Sequence, residues 1–169
     1  MYLDMSKNLL EGDIPSSIGE MTNLMALDLS RNKFSGELPA PLFIGCVFLE
    51  LLDLSNNNFF GQIFPKYMKL TQLSELHLDN NNFSGKIKEG LLSTTALQVL
   101  DISNNMLSGN IPHWIGNFFS SLRVLSMSKN HLEGSIPVQF NKLVLLNISE
   151  NSLSGSISNF SSVKHLYPQ

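Results

Sequence analysis

An asparagine returns along this chain as Asn8, Asn32, Asn57, Asn81, Asn105, Asn130 and Asn151. Four residues after each stands a glycine: Gly12, Gly36, Gly61, Gly85, Gly109, Gly134 and Gly155. The spacing is 24 or 25 residues, with one shorter step of 21 between Asn130 and Asn151. A self-similar period of this size means stacked units. Each unit is too small to bury its apolar face alone, so neighbours must share one continuous core.

The stretch from Leu97 to Pro112, LQVLDISNNMLSGNIP, shows one unit at its most regular. Val99 to Ser103 alternates with a period of two, which predicts a short strand with Leu100 and Ile102 inward and Asp101 and Ser103 outward. The asparagine follows where the chain leaves the strand. Its amide can serve backbone donors and acceptors that the turn would otherwise leave buried and unpaired. The glycine column marks positive φ or a close backbone approach. Prolines after Ile14, Leu38 and Ile111 cannot donate to a ladder and steer the next segment toward a turn or short helix.

These features make an LxxLxLxxNxL core, the signature of leucine-rich repeats. The expected fold is an α/β-type repeat solenoid, a right-handed leucine-rich-repeat coil. One parallel β-sheet lines its concave face, and turns or short 3-10 helices form its convex face. The segments Leu27-Asp28-Leu29-Ser30, Phe34-Ser35-Gly36-Glu37-Leu38-Pro39, Leu107-Ser108-Gly109-Asn110-Ile111-Pro112 and Ile14-Pro15 resemble the plant-specific class of these repeats. That class occurs in receptor-like kinases, receptor-like proteins and polygalacturonase-inhibiting proteins. Residues 153–157 and 163–167 are more similar to receptor-like proteins than to the short inhibitors. The resemblance implies a secreted, glycosylated ectodomain that binds an extracellular peptide, glycan or protein, and a signalling partner such as a receptor kinase. It also leaves two other readings open: an inhibitor of a microbial cell-wall-degrading enzyme, or a truncated remnant without a ligand.

The 169 residues read as one domain, residues 1–169, of about seven repeats with strand leucine positions near 3, 27, 52, 76, 100, 125 and 146. A partial eighth repeat opens near Val163, where Pro168 occupies the place of the second strand leucine. Met1 to Lys7 already reads as the middle of a repeat, so the chain is expected to be an uncapped fragment of a longer array. The third repeat carries an extra residue, Ile63-Phe64-Pro65, and the fourth reads Leu76-His77-Leu78-Asp79 where others read Leu-Asp-Leu-Ser.

A net charge of −3 with scattered Lys and Arg argues against a nucleic-acid footprint. No apolar run is long enough to span a bilayer, and the N-terminus lacks the form of a signal peptide. Cys46, the single cysteine, lies in an apolar run and reads as a buried small hydrophobe. There is no HExxH, GxSxG, phosphate-binding glycine loop or usable Cys-His pairing, so no enzymatic activity, cofactor or metal is expected.

Binding therefore has to come from the outward strand residues. The column between the two strand leucines reads Asp4, Asp28, Asp53, His77, Asp101, Ser126 and Asn147. The aspartates suit bonds to neighbouring hydroxyls and backbone, whereas His77, Ser126 and Asn147 depart from the repeat. Asp53 and Asp101 flank His77 on adjacent strands, which would favour its imidazolium where the side chains meet. The residue before the first leucine gives Tyr2, Ala26, Leu51, Glu75, Val99, Val124 and Leu145. This stripe is either a partner site or is half-buried between neighbours. A polar rim follows: Lys7, Arg31, Asn56, Asn80, Asn104, Lys129 and Glu150. The expected ligand-contacting patch is Glu75, His77, Val99, Asp101, Arg123, Ser126, Lys129, Asn147 and Glu150. Glycosylation sequons stand at Asn82, Asn147 and Asn159.

Overall fold

The computed structural model describes residues 1–137, 140 and 142–156, together with the backbone of 165–167. Asn159, Val163 and Pro168, and the side chains of Leu166 and Tyr167, lie outside the described residues. Eight short strands form one parallel sheet in strict chain order: Tyr2–Asp4, Ala26–Asp28, Leu51–Asp53, Glu75–His77, Val99–Asp101, Val124–Ser126, Leu145–Asn147 and His165–Tyr167. Register never slips. Leu27, Leu52, Leu76, Leu100, Leu125 and Leu146 are Cα partners in succession. All six are buried, because a slip of one residue would turn the whole leucine row into solvent.

The segments after the asparagines form a second parallel sheet, in addition to the one expected on the concave face. Its seven strands are Glu11–Asp13, Lys33–Gly36, Asn58–Gln62, Asn82–Gly85, Met106–Asn110, His131–Ser135 and Ser152–Ser154. Here the glycine column acquires its physical meaning. Every one of the seven has positive φ, between 77° and 99°, a region that glycine enters without steric cost. Helices then complete the repeats: Ser16–Glu20 and Glu89–Ser93 as 3-10 turns, Ala40–Gly45 and Ile115–Phe118 as short α-helices. The first two α- and 3-10 segments start just after Pro15 and Pro39, as proline before a helix favours.

Leucines from the first sheet, the Phe34/Phe59/Phe83/Leu107/Leu132 column from the second, and apolar residues of the helices meet in one core. Phe34, Phe59 and Phe83 stack with centroids 6.2 Å apart and planes 6° and 10° from parallel. Cys46 is fully buried, its thiol donating to the Ile18 carbonyl at 3.3 Å, and burial raises its pKa. The extra residue of the third repeat, Phe64, turns inward at φ 63° and is buried. The next turn makes room for it with Gly90, where a Cβ would collide with the carbonyls of Phe64 and Pro65.

The asparagines knit successive repeats together. Asn105 Nδ2 donates to the carbonyls of Ile102 (3.3 Å) and Ser103 (3.0 Å) in its own repeat and of Leu78 (3.0 Å) in the one before. Its Oδ1 accepts the Phe83 N–H at 2.9 Å. Asn32, Asn57, Asn81, Asn130 and Asn151 make the same set. Asn8, at the first repeat, is exposed and bonds only Met5 and Ser6 of its own turn.

Candidate recognition face

The outward residues of the eight-stranded sheet line up in rows, because parallel pairing in register puts equivalent side chains about 4.8 Å apart. One row runs Asp53, His77, Asp101, Ser126, Asn147, and another Leu51, Glu75, Val99, Val124, Leu145. Glu75, His77, Val99, Asp101 and Asn147 are half-exposed, and Arg123, Lys129 and Glu150 are exposed beside them. Ser126 lies in the row but is only 6% exposed, so it forms floor rather than reachable surface. The apolar residues Ala26, Leu51, Val99, Val124 and Leu145 are half-buried between neighbours.

The aspartates in the row are tied inward. Oδ1 of Asp4, Asp28, Asp53 and Asp101 accepts the N–H of the serine two residues on, at 2.9, 2.9, 2.9 and 3.0 Å. That bond is the main reason the Asp4 carboxyl is held below its ordinary pKa. Asp101 also takes the Ser103 hydroxyl at 2.6 Å. Asn147 copies the arrangement, accepting the Ser149 hydroxyl at 2.8 Å and donating to Ser128 Oγ at 3.2 Å. The row is thus first a strand-end brace. His77 lies between Asp53 and Asp101 in register, but its Nε2 faces Glu75 Oε2 at 3.7 Å.

The rim residues carry a feature that the repeat pattern did not disclose. Lys7, Arg31, Asn56, Asn80, Asn104, Lys129 and Glu150 all have φ between 50° and 56°. Asparagine accepts this region readily, whereas Lys, Arg and Glu pay roughly 1–2 kcal/mol for it. Lys129 and Glu150 form an exposed ion pair at 3.7 Å, a geometry worth at most about 1 kcal/mol and easily exchanged for another partner. Arg123 has no ion pair among the described residues.

Asp79 is the second unanticipated member. It stands where Ser30, Ser55, Ser103 and Ser128 stand in other repeats, half-buried. Burial raises its pKa, the Asp101 and Asp53 charges add to the rise, and a 2.5 Å bond from Asn80 Nδ2 opposes it. A carboxyl whose folded pKa exceeds its unfolded value binds its proton more tightly when folded, so stability falls as pH rises through that range. Asp79→Ser should therefore raise the thermal midpoint at pH 7, by a modest amount because the carboxyl is partly solvent-screened. The gain should fade as pH is lowered toward the ordinary aspartate value of 3.8. Melting curves of both chains across pH 3 to 7, on the order of five points, check this.

No group of three or more His, Cys, Asp or Glu side chains able to hold a metal occurs among the described residues. No described helix is long and apolar enough to cross a membrane. The face is an open wall of charged, amide and apolar side chains, suited to an extended partner held by many small contacts.

Comparison with known proteins agrees with this architecture. The family described as Leucine Rich Repeat matches residues 1–21, 23–43, 48–70, 72–93, 96–118 and 121–143. Receptor-like protein 9b of Arabidopsis thaliana is 57% identical over 65 residues, 38% of this chain and 7% of that protein. A crystallised TDR receptor superposes with a TM-score of 0.92 at 31% identity, covering 99% of this chain and 30% of that one. The Arabidopsis receptor kinase HAESA, solved with the peptide hormone IDA and the co-receptor SERK1, gives a TM-score of 0.86 at 35% identity over 92% of this chain and 26% of that one. The chain thus spans less than a tenth of the curated relative and under a third of these receptors. It belongs to the leucine-rich repeat family, with repeats of the kind found in plant receptor-like proteins.

Proposed function

We propose that this chain is a non-catalytic recognition segment of a plant cell-surface receptor-like protein. Its inner sheet face binds an extracellular peptide or protein in defence or developmental signalling, with a receptor kinase as signalling partner. The observation that carries the reading is the gathering of Glu75, His77, Arg123, Lys129 and Glu150 on one face, just where the repeat's own Asp-Leu-Ser consensus lapses. Mixed charge over a half-apolar strip suits a peptide with both acidic and basic groups. The likeness to HAESA, a receptor solved with a peptide hormone, supports that choice of ligand.

The test is a library of synthetic peptides panned against the full chain, with binders then measured on His77→Ala/Arg123→Ala/Lys129→Ala. Loss of these three contacts should weaken selected binders at least about tenfold, the equivalent of 1.4 kcal/mol. Binders that hold the triple variant as tightly as the wild type would sink the reading.

A further inference from the structure

The outer side of the coil carries a groove that the recognition face does not explain. In the third repeat, residues 65–74 form turns only, whereas the repeats on either side place the helices Ala40–Gly45 and Glu89–Ser93 there. The inserted Phe64 turns inward at φ 63° just before that stretch, and Lys66 and Tyr67 follow on the surface. The fourth repeat departs as well: Lys88 stands where Pro15, Pro39, Pro112 and Pro137 stand in other repeats. Both departures line one groove of about 790 Å³, which also takes in the register pair Gln62 and Ser84 and reaches Glu37. A cleft of this size suits a ligand of a few rings.

Tyr67 is 51% exposed, and Phe43 meets it edge-on, with centroids 6.5 Å apart and planes at 65°. An exposed ring held in this way is a fixed apolar platform. Lys88 Nζ donates to Gln62 Oε1, an uncharged acceptor, and neither Lys88 nor Lys66 has an ion pair among the described residues. Glu37 lines the same groove without pairing with either lysine, its side chain lying over Gly61. Both acids of residues 61–88, Glu75 and Asp79, belong to the inner sheet and the turn that follows it, so the outer side is locally basic on a chain of net charge −3.

We propose that this groove is a second binding site, for a short carboxylated oligosaccharide built of uronic-acid units. One sugar lays its apolar C–H face on Tyr67 and covers aromatic surface that would otherwise stay wet. Its carboxylate takes charge-assisted hydrogen bonds from Lys66 and Lys88. Sugar hydroxyls meet Gln62, Ser84 and the Glu37 carboxylate. An acidic peptide has less to hold here, because its main chain would need a free strand edge. The strands Asn58–Gln62 and Asn82–Gly85 are already paired on both sides. The site is independent of the inner face, and holds or fails without it.

Calorimetric titration of the full chain with trigalacturonate, beside its methyl ester and hexaglutamate, tests this. The expected result is saturable binding of trigalacturonate that weakens as salt rises, since both lysines are open to solvent. Methyl-esterification, Lys88→Met and Tyr67→Ala should each weaken it at least about tenfold. Lys88→Met exchanges one exposed side chain for another of similar length, so the fold is kept. The inner-face variant His77→Ala/Arg123→Ala/Lys129→Ala should bind trigalacturonate as the wild type does. No saturable binding up to about 10 mM overturns the proposal. So does an undiminished affinity for the ester, or in Lys88→Met, or a loss confined to the inner-face variant. Hexaglutamate bound as tightly as trigalacturonate, and indifferent to Tyr67→Ala, would make the groove an acidic-peptide site and overturn it too.

Discussion

Asn105→Ala should cost about 3–5 kcal/mol of stability, because one side chain serves four buried backbone groups and alanine serves none. The Phe83 N–H loses its acceptor, and the carbonyls of Leu78, Ile102 and Ser103 lose a shared donor. An unsatisfied buried polar group costs about 1–3 kcal/mol, and water cannot replace the amide in a site that is 7% exposed. Against a typical total of about 5–15 kcal/mol, this is a large share. In urea the midpoint should fall by about 1.5–2.5 M for slopes near 2 kcal/mol/M. Asn8→Ala supplies the control. The same side chain there is exposed and bonds only its own turn, so the cost should stay below about 1 kcal/mol. Equal losses at the two sites would mean that the asparagines act within repeats and not between them.

Phe59→Ala should be comparably damaging, about 3–5 kcal/mol, the range for removing a buried ring. Phe59 is fully buried and stacks on Phe34 on one side and Phe83 on the other. No smaller side chain reaches both. The cavity would open between the two sheets at mid-array, where neighbouring repeats are held apart by their own ladders and cannot collapse into it. Phe59→Leu should cost under about 2 kcal/mol, since Leu107 and Leu132 fill the same column in later repeats. Denaturant titration of both variants distinguishes ring stacking from simple volume.

Much of this was legible from residues because a repeat writes each physical demand several times over. The Asn column could be read as a server of buried backbone, and the Gly column as either positive φ or a close backbone approach, from their spacing and residue type. The second sheet was not legible. Segments such as Asn82-Phe83-Ser84-Gly85 combine turn formers with one apolar residue, and their ladder partners lie a whole repeat away, beyond any local pattern. The same holds for the left-handed rim: Lys129 and Glu150 carry no conformational mark in their side chains. Phe64 was visible as an insertion, yet the room for its backbone carbonyl depends on Gly90, 26 positions on in the chain. On the recognition face, alternation gave the rows directly. It could not tell that Ser126 is covered, or that Asp79 stands half-buried between two other carboxylates, because both follow from what neighbouring strands place alongside.

The most direct test of recognition by the inner face is amide hydrogen exchange of the full chain with and without a selected peptide. Protection should appear at Glu75–His77, Val99–Asp101, Val124–Ser126 and the Lys129 and Glu150 turns, with the helices Ala40–Gly45 and Ile115–Phe118 unchanged. Protection confined to those helices, or to the outer sheet strands Asn58–Gln62 and Asn82–Gly85, would contradict it.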